Sequence, residues 1–166
     1  MNVRDATAAD LPAIDAIFRA SFAATFGHLY QPADLAAFLA RFTPEAWAAE
    51  FAQGHDFRIA EDVRGPFGYC KLGPLTLPAT PSGPALELRQ LYLLDRGKGT
   101  GAAQALMDWA IATARARGAG ELWLSVYVDN HRARRLYERY GFEDRGPYAF
   151  MVGDHADEDR MMRLAL

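Results

Sequence analysis

Arg96-Gly97-Lys98-Gly99-Thr100-Gly101 stands between an apolar, strand-like run at 85–94 and a stretch with helical spacing at 100–117. Three glycines in five residues are costly at a helix entrance unless bare backbone is needed there. Glycine lets several N–H groups converge, and the helix that follows adds the positive end of its dipole. The segment therefore reads as a site for a phosphate or pyrophosphate, with Arg96 and Lys98 supplying full charges. The competing reading is a tight turn that packs the helix against the sheet. Such a turn does not need two flanking cations.

The kind of phosphate ligand follows from what surrounds the segment. A P-loop is excluded, because no Gly-Lys-Ser/Thr ending is present. Gly97, Gly99 and Ala102 formally match the dinucleotide fingerprint G-x-G-x-x-G/A, and Asp129 follows the next strand. A doubly wound domain needs further βα units after this one, however, and only one short helix and two adjacent strands remain.

The rest of the chain reads as follows. A short strand at 3–6 precedes Thr7 and Asp10, which resemble a capping box with Asp in place of Glu. Leu11, Ile14, Ile17, Phe18 and Phe22 recur at helical spacing until Gly27. Pro32 and Pro44 open two short amphipathic helices, 32–42 and 44–53. Strands at 57–60 and 67–72 flank a turn at 62–66. Residues 73–84, with four prolines and two glycines, form a surface loop. After the strand at 85–94 and the helix at 100–117 come a strand at 121–128, a helix at 131–140 and strands at 142–152 and 159–166. Strand, helix and strand over 85–128 make a crossover, so those two strands are expected to be parallel. Glu121-Leu-Trp-Leu-Ser-Val-Tyr-Val128 is nearly continuously apolar, as befits a strand covered on both faces. The expected architecture is α/β (α+β): one domain over 1–166, with a mixed, mostly antiparallel sheet of about seven strands and helices on both faces.

Here the sequence resembles a family. Arg-x-x-Gly-x-Gly at 96–101 is similar to the acetyl-CoA pyrophosphate motif of the Gcn5-related N-acetyltransferases (GNAT). The resemblance extends upstream through Glu87-Leu-Arg-Gln-Leu-Tyr-Leu-Leu94. Downstream, Asn130-His-Arg-Ala-Arg-Arg-Leu-Tyr137-Glu-Arg-Tyr-Gly-Phe142 resembles the family's Asn-x-x-Ala-x-x-x-Tyr-x-x-x-Gly-Phe signature. The resemblance implies that Arg96, Gly97, Lys98, Gly99, Thr100, Gly101 and Ala102 bind the diphosphate of acetyl-CoA. It also implies that the backbone of Leu91, Tyr92 and Leu93 pairs with the pantetheine arm, and that Asn130 and Tyr137 lie against that arm. Asn130 can equally be the cap of the helix that follows.

N-acetylation joins a thioester to an amine, so an ammonium with pKa near 10.4 must lose a proton before it attacks. The departing thiolate benefits from gaining one. Glu87 is the candidate base, the alternative being a structural ion pair with Arg89 or a neighbouring strand. Strand alternation would place Glu87 on one face with Arg89, Leu91 and Leu93. Tyr137 is the candidate acid, although its place on the stripe Ala133, Leu136, Tyr137, Tyr140 also suits a core tyrosine. Arg132, Arg134 and Arg135 are candidates for the cofactor's 3′-phosphate, against a solvated helix face.

The acceptor is expected to be a primary amine of a small molecule. Asp34, Glu45, Glu50, Asp154, Asp157, Glu158 and Asp159, with His28 and His155, lie in the segments that would select it, and acidic walls attract cations. The run 154–159 also reads as a solvated turn. Ala24-Thr-Phe-Gly27 and Tyr148-Ala-Phe-Met-Val-Gly-Asp154 are similar to the bacterial spermidine/spermine (PaiA-like) branch, which implies a polyamine-like amine. Other readings are a protein N-terminal or aminoglycoside-like acceptor, a longer acyl donor, a non-catalytic acetyl-CoA sensor, and a nicotinamide-dependent oxidoreductase.

Composition agrees with these readings. Apolar residues make up 51% and charged ones 23% of 166 residues, as in ordinary globular domains. Eighteen basic residues against 21 acidic ones, net −3, lack the basic excess of a nucleic-acid binder. The single cysteine, Cys70, allows no internal disulfide and reads as a buried thiol. No histidine pair has metal-ligand spacing, so no metal is expected. No run approaches a membrane span, and a cytoplasmic protein is expected. The sequence leaves a homodimer open.

Overall fold

The computed structural model describes Met1–Leu166. Strand β1 (Asn2–Asp5) leads into α1 (Leu11–Phe26), α2 (Pro32–Leu39) and α3 (Pro44–Ala52). There follow β2 (Asp56–Asp62), β3 (Gly65–Pro74), β4 (Ala85–Leu93), α4 (Ala102–Ala116), β5 (Glu121–Tyr127), α5 (His131–Arg139), β6 (Glu143–Val152) and β7 (His155–Ala165). The strands form one sheet in the order β1-β2-β3-β4-β5-β7-β6. Only β4 and β5 are parallel, as the crossover requires. A mostly antiparallel sheet of this order is not the doubly wound parallel sheet of a dinucleotide fold.

Local signals set most boundaries. The Asp10 carboxylate accepts the Thr7 N–H at 2.8 Å, and a bidentate Arg4 holds it at 2.8 Å. Thr43 and Asn130 accept the N–H groups of Ala46 and Ala133 at the starts of α3 and α5. The two faces of the sheet carry separate cores. Leu72, Leu88, Leu106, Leu122, Leu124 and Met162 pack under α4 and α5. Phe18, Phe22, Phe38, Trp47, Ile59 and Tyr69 pack under α1–α3. The second core is largely aromatic, with Phe18 and Phe42 ring centroids 4.3 Å apart.

Two expectations are corrected. Strand β7 starts at His155, four residues before the expected 159, so the acidic run belongs to a strand and not to a turn. Val152 pairs with His155 across Gly153-Asp154, a two-residue hairpin with Gly153 at φ +58°. The second correction concerns β4. Lys71 pairs with Gln90 but Leu72 pairs with Leu88, so Arg89 is an extra, bulged residue. The bulge reverses the alternation. Leu86, Leu88, Leu91 and Leu93 pack on the α4 side, whereas Tyr92 packs on the α1 side. Glu87 therefore does not share a face with Leu91 and Leu93.

Candidate active site

β4 and β5 pair at only three positions, Ala85–Glu121, Leu86–Leu122 and Glu87–Trp123. Past Glu87 the two strands part. β4 continues along β3 to Leu93, and β5 continues along β7 to Tyr127. The facing edges of Leu88–Leu93 and Leu124–Tyr127 are thus left without strand partners. Between them lies a cleft of about 860 Å³ that reaches both faces of the sheet. An open strand edge offers N–H and C=O groups to an extended, amide-bearing ligand.

The mouth of the cleft carries the glycine segment. Gly99 and Gly101 have φ of +80° and +86°, a region that any side chain strains. Gly97 has a different task, because a Cβ there would lie 2.5 Å from the Phe67 ring. Gly97 thus serves the tight packing turn, while Gly99 and Gly101 answer a need of the backbone conformation. The N–H groups of Gly99, Thr100, Gly101, Ala103 and Gln104 make no backbone hydrogen bond within the chain. They leave five free donors at the start of α4, where the helix dipole favours negative charge.

Not every residue expected there faces a ligand. The Arg96 guanidinium pairs with Asp62 at 2.7 Å, donates to the carbonyls of Gly65 and Pro66, and lies 5.0 Å from the Phe67 ring centroid. It clamps the β2–β3 turn. Thr100 Oγ1 donates to Gly97 O at 2.8 Å, and Ala102 is fully buried. Gly97, Lys98, Gly99 and Gly101 do line the cleft. So do Leu91, Tyr92, Leu93, Asn130 and Tyr137. Arg132 and Arg135 line it too, whereas Arg134 turns to Val128 O and Asp144.

Tyr137 is 8% exposed, and no hydrogen bond within the chain ties its hydroxyl. Burial, with Cys70 close by, pushes it well above the ordinary tyrosine range. Burial pushes the Cys70 thiol up as well, in keeping with an inert core thiol. Glu87 is bound by its surroundings. Its Oε2 accepts from Thr76 N, Thr76 Oγ1 and Leu77 N at 2.8, 3.1 and 3.3 Å, and its Oε1 lies 3.7 Å from Arg89. That is the structural ion pair weighed against the base, with three added donors that anchor the loop, which runs over 75–84 because β3 continues to Pro74.

Of the acidic residues in the acceptor half, Glu50, Asp157 and Asp159 line the cleft, while Asp34, Glu45, Asp154 and Glu158 do not. Glu50 is engaged by the buried Lys71 at 2.7 Å. Tyr30, which has no motif around it, donates its hydroxyl to Asp157. No group of three or more His, Cys, Asp or Glu side chains is placed to hold a metal ion. No helix is long and apolar enough to cross a membrane.

The sequence model of the acetyltransferase (GNAT) family matches residues 12–142. The chain belongs to the GNAT acetyltransferase family. An N-acetyltransferase from Lactobacillus delbrueckii subsp. lactis, itself described as uncharacterized, is 30% identical to this GNAT chain over 95% of the chain and 92% of that protein. An uncharacterized N-acetyltransferase of Mycobacterium tuberculosis is 46% identical over 77 residues, 46% of the chain. That match spans only about half, 49%, of the relative's length. The PaiA N-acetyltransferase of Thermoplasma acidophilum, solved in complex with coenzyme A, superimposes with a TM-score of 0.77 at 17% identity. The superposition covers 99% of the GNAT chain and 98% of that structure.

Proposed function

We propose that the protein transfers the acetyl group of acetyl-CoA directly to the primary amine of a small, polyamine-like molecule, both substrates being bound together. GNAT membership makes it an acetyl-CoA-dependent acyltransferase. The observation that carries the reading to this chain is the parting of β4 and β5 after Glu87, with unpaired amides at its mouth. The amides of Gly99–Gln104 grip the diphosphate. The open edge at Leu91–Leu93 pairs with the amides of the pantetheine arm, which brings the thioester beside Tyr137. Asn130 steers the arm while capping α5. Tyr137 gives its proton to the departing sulfur.

The acceptor enters from the α1 face, through aromatic walls that include Phe22, Phe26 and Phe150, towards Asp157 and Asp159. Aromatic faces suit the methylenes and ammonium ends of a polyamine, and the carboxylates disfavour an acceptor bearing its own carboxylate. Free-thiol release from acetyl-CoA tests the reading. Spermidine is expected to outrun free amino acids by at least about tenfold in kcat/KM, a difference of about 1.4 kcal/mol. A peptide N-terminus as the fastest acceptor would replace the polyamine reading. Absence of thiol release with every amine would leave a coenzyme-binding module.

The cofactor site makes a second prediction. Arg96→Ala is expected to lower the thermal midpoint by about 3 °C or more, since it frees the β2–β3 turn. The Kd for coenzyme A should stay within about threefold. Calorimetry showing lost coenzyme affinity at unchanged stability would return Arg96 to the phosphate.

A further inference from the structure

Asp157 and Asp159 lie two residues apart on β7, so both point to the α1 face of the sheet. They are 5% and 6% exposed, yet both line the cleft. The Tyr30 hydroxyl holds Asp157 Oδ2. Asp157 Oδ1 is buried without a hydrogen bond, with His155 Nε2 3.2 Å away. Asp159 is set between Tyr127 on β5 and Tyr148 on β6. Asp159, Tyr137 and Tyr92 line the same cleft, so the carboxylate, the phenol and the end of the open β4 edge open onto one space. A buried carboxylate pair, one oxygen of which makes no hydrogen bond and has only the His155 ring beside it, has room for a cation as partner.

We propose that Asp159 receives the acceptor's ammonium and takes its proton, while Asp157, clamped by Tyr30, positions the ammonium through its Oδ1. The proposal rests on the acetyl-transfer reading above and assigns the base to β7 instead of to Glu87 on β4. Asp159 removes one proton from R–NH₃⁺ and releases it to water along the cleft. The amine lone pair then forms the C–N bond at the thioester carbon, and the C–S bond breaks with its electron pair on sulfur. Tyr137 protonates the sulfur and regains a proton from the nitrogen, which leaves the neutral amide and the free thiol.

Burial, reinforced by Asp157, pushes the Asp159 carboxyl up to about 7, against the pull of Ser125. The groups around it are Tyr30 after α1, Tyr92 on β4, Ser125 and Tyr127 on β5, Tyr148 on β6, Asp157 on β7 and Tyr137 on α5, with His155 behind Asp157. Of these, only His155 can carry a positive charge. Because the base form is the ionised one, kcat/KM should rise with pH through about 7.

The test takes the fastest acceptor among spermidine, phenethylamine and an alanine-terminated peptide. Asp159→Asn should lower kcat/KM for that amine about 100-fold or more, with the Kd for acetyl-CoA changed less than about twofold. Asp159→Glu should recover part of the rate and retain the acidic limb. Asp157→Asn should raise KM more than it lowers kcat. An Asp159→Asn enzyme within about fivefold of wild type overturns the proposal while leaving acetyl transfer intact. A wild-type profile without a limb near pH 7 overturns it too, even should the Asn variant fail to fold. If wild type releases no thiol with any of the three amines, the functional reading fails and this inference fails with it.

Discussion

Tyr137→Phe is expected to lower kcat about 100-fold, within the usual range for a positioned acid, while the Kd for acetyl-CoA stays within about twofold. The hydroxyl has no partner inside the chain, so its removal leaves no orphaned donor or acceptor behind. The phenyl ring keeps its packing against Phe142, at 5.8 Å between centroids. A raised phenol affinity for protons first looks wrong for an acid, because a thiolate in water would not deprotonate it. The thiolate that leaves in this cleft is not in water. Cys70, a thiol buried close to Tyr137, is pushed up by the same burial that raises the phenol. Donor and acceptor shift together, so the transfer stays nearly matched. Stopped-flow measurement of thiol release under single turnover reads the step directly. An unchanged chemical rate in Tyr137→Phe would return the residue to a packing role, as its place on the apolar stripe of α5 permits.

The sequence carried the cofactor half of the site further than the acceptor half, for physical reasons. A nest of amides needs glycines at fixed positions, and Gly99 and Gly101 stand where φ is positive. The same requirement made the segment visible. The charges beside it have unlike surroundings: Lys98 lines the cleft, whereas Arg96 pairs with Asp62, a contact across the sheet that spacing along the chain does not show. The β4 bulge had no signal at all. One extra residue at Arg89 reversed the faces of everything before it, and only pairing with β3 reveals such a residue. The acidic run was a different kind of failure. Asp157-Glu158-Asp159 has the composition of a turn, yet Gly153-Asp154 already offered the hairpin two residues earlier. Read with that turn, the run alternates, and its odd positions face the cleft. Carboxylates in a strand contradict local propensity, and such conflicts concentrate where a site needs them.

Asp159→Asn should also make the protein more stable, and only above acidic pH. An unfolded aspartate titrates near 3.8, whereas the folded Asp159 titrates near 7. Because the folded value is the raised one, the native state binds the extra proton across this interval. Stability therefore falls as pH rises from about 4 to about 7 and is flat beyond. Three pH units at 1.36 kcal/mol each would give about 4 kcal/mol. Water reaching the cleft-facing carboxylate screens the charge, and about 2 kcal/mol is the better expectation. Asparagine keeps the shape and has no charge to bury. Its gain over wild type should grow from about pH 4 to about pH 7, level off beyond, and reach about 4–8 °C in thermal midpoint for a chain of this size. Other carboxylates titrate alike in both proteins and cancel in the difference. Melts at pH 5 and pH 8 check the expectation. A gain equal at both would mean that Asp159 is ionised throughout, its folded value not raised, and the limb near pH 7 that the mechanism assigns to it would be lost. A residue that weakens the fold at working pH is thus expected to be one the reaction cannot do without, because taking a proton from an ammonium needs a charge held where water is scarce.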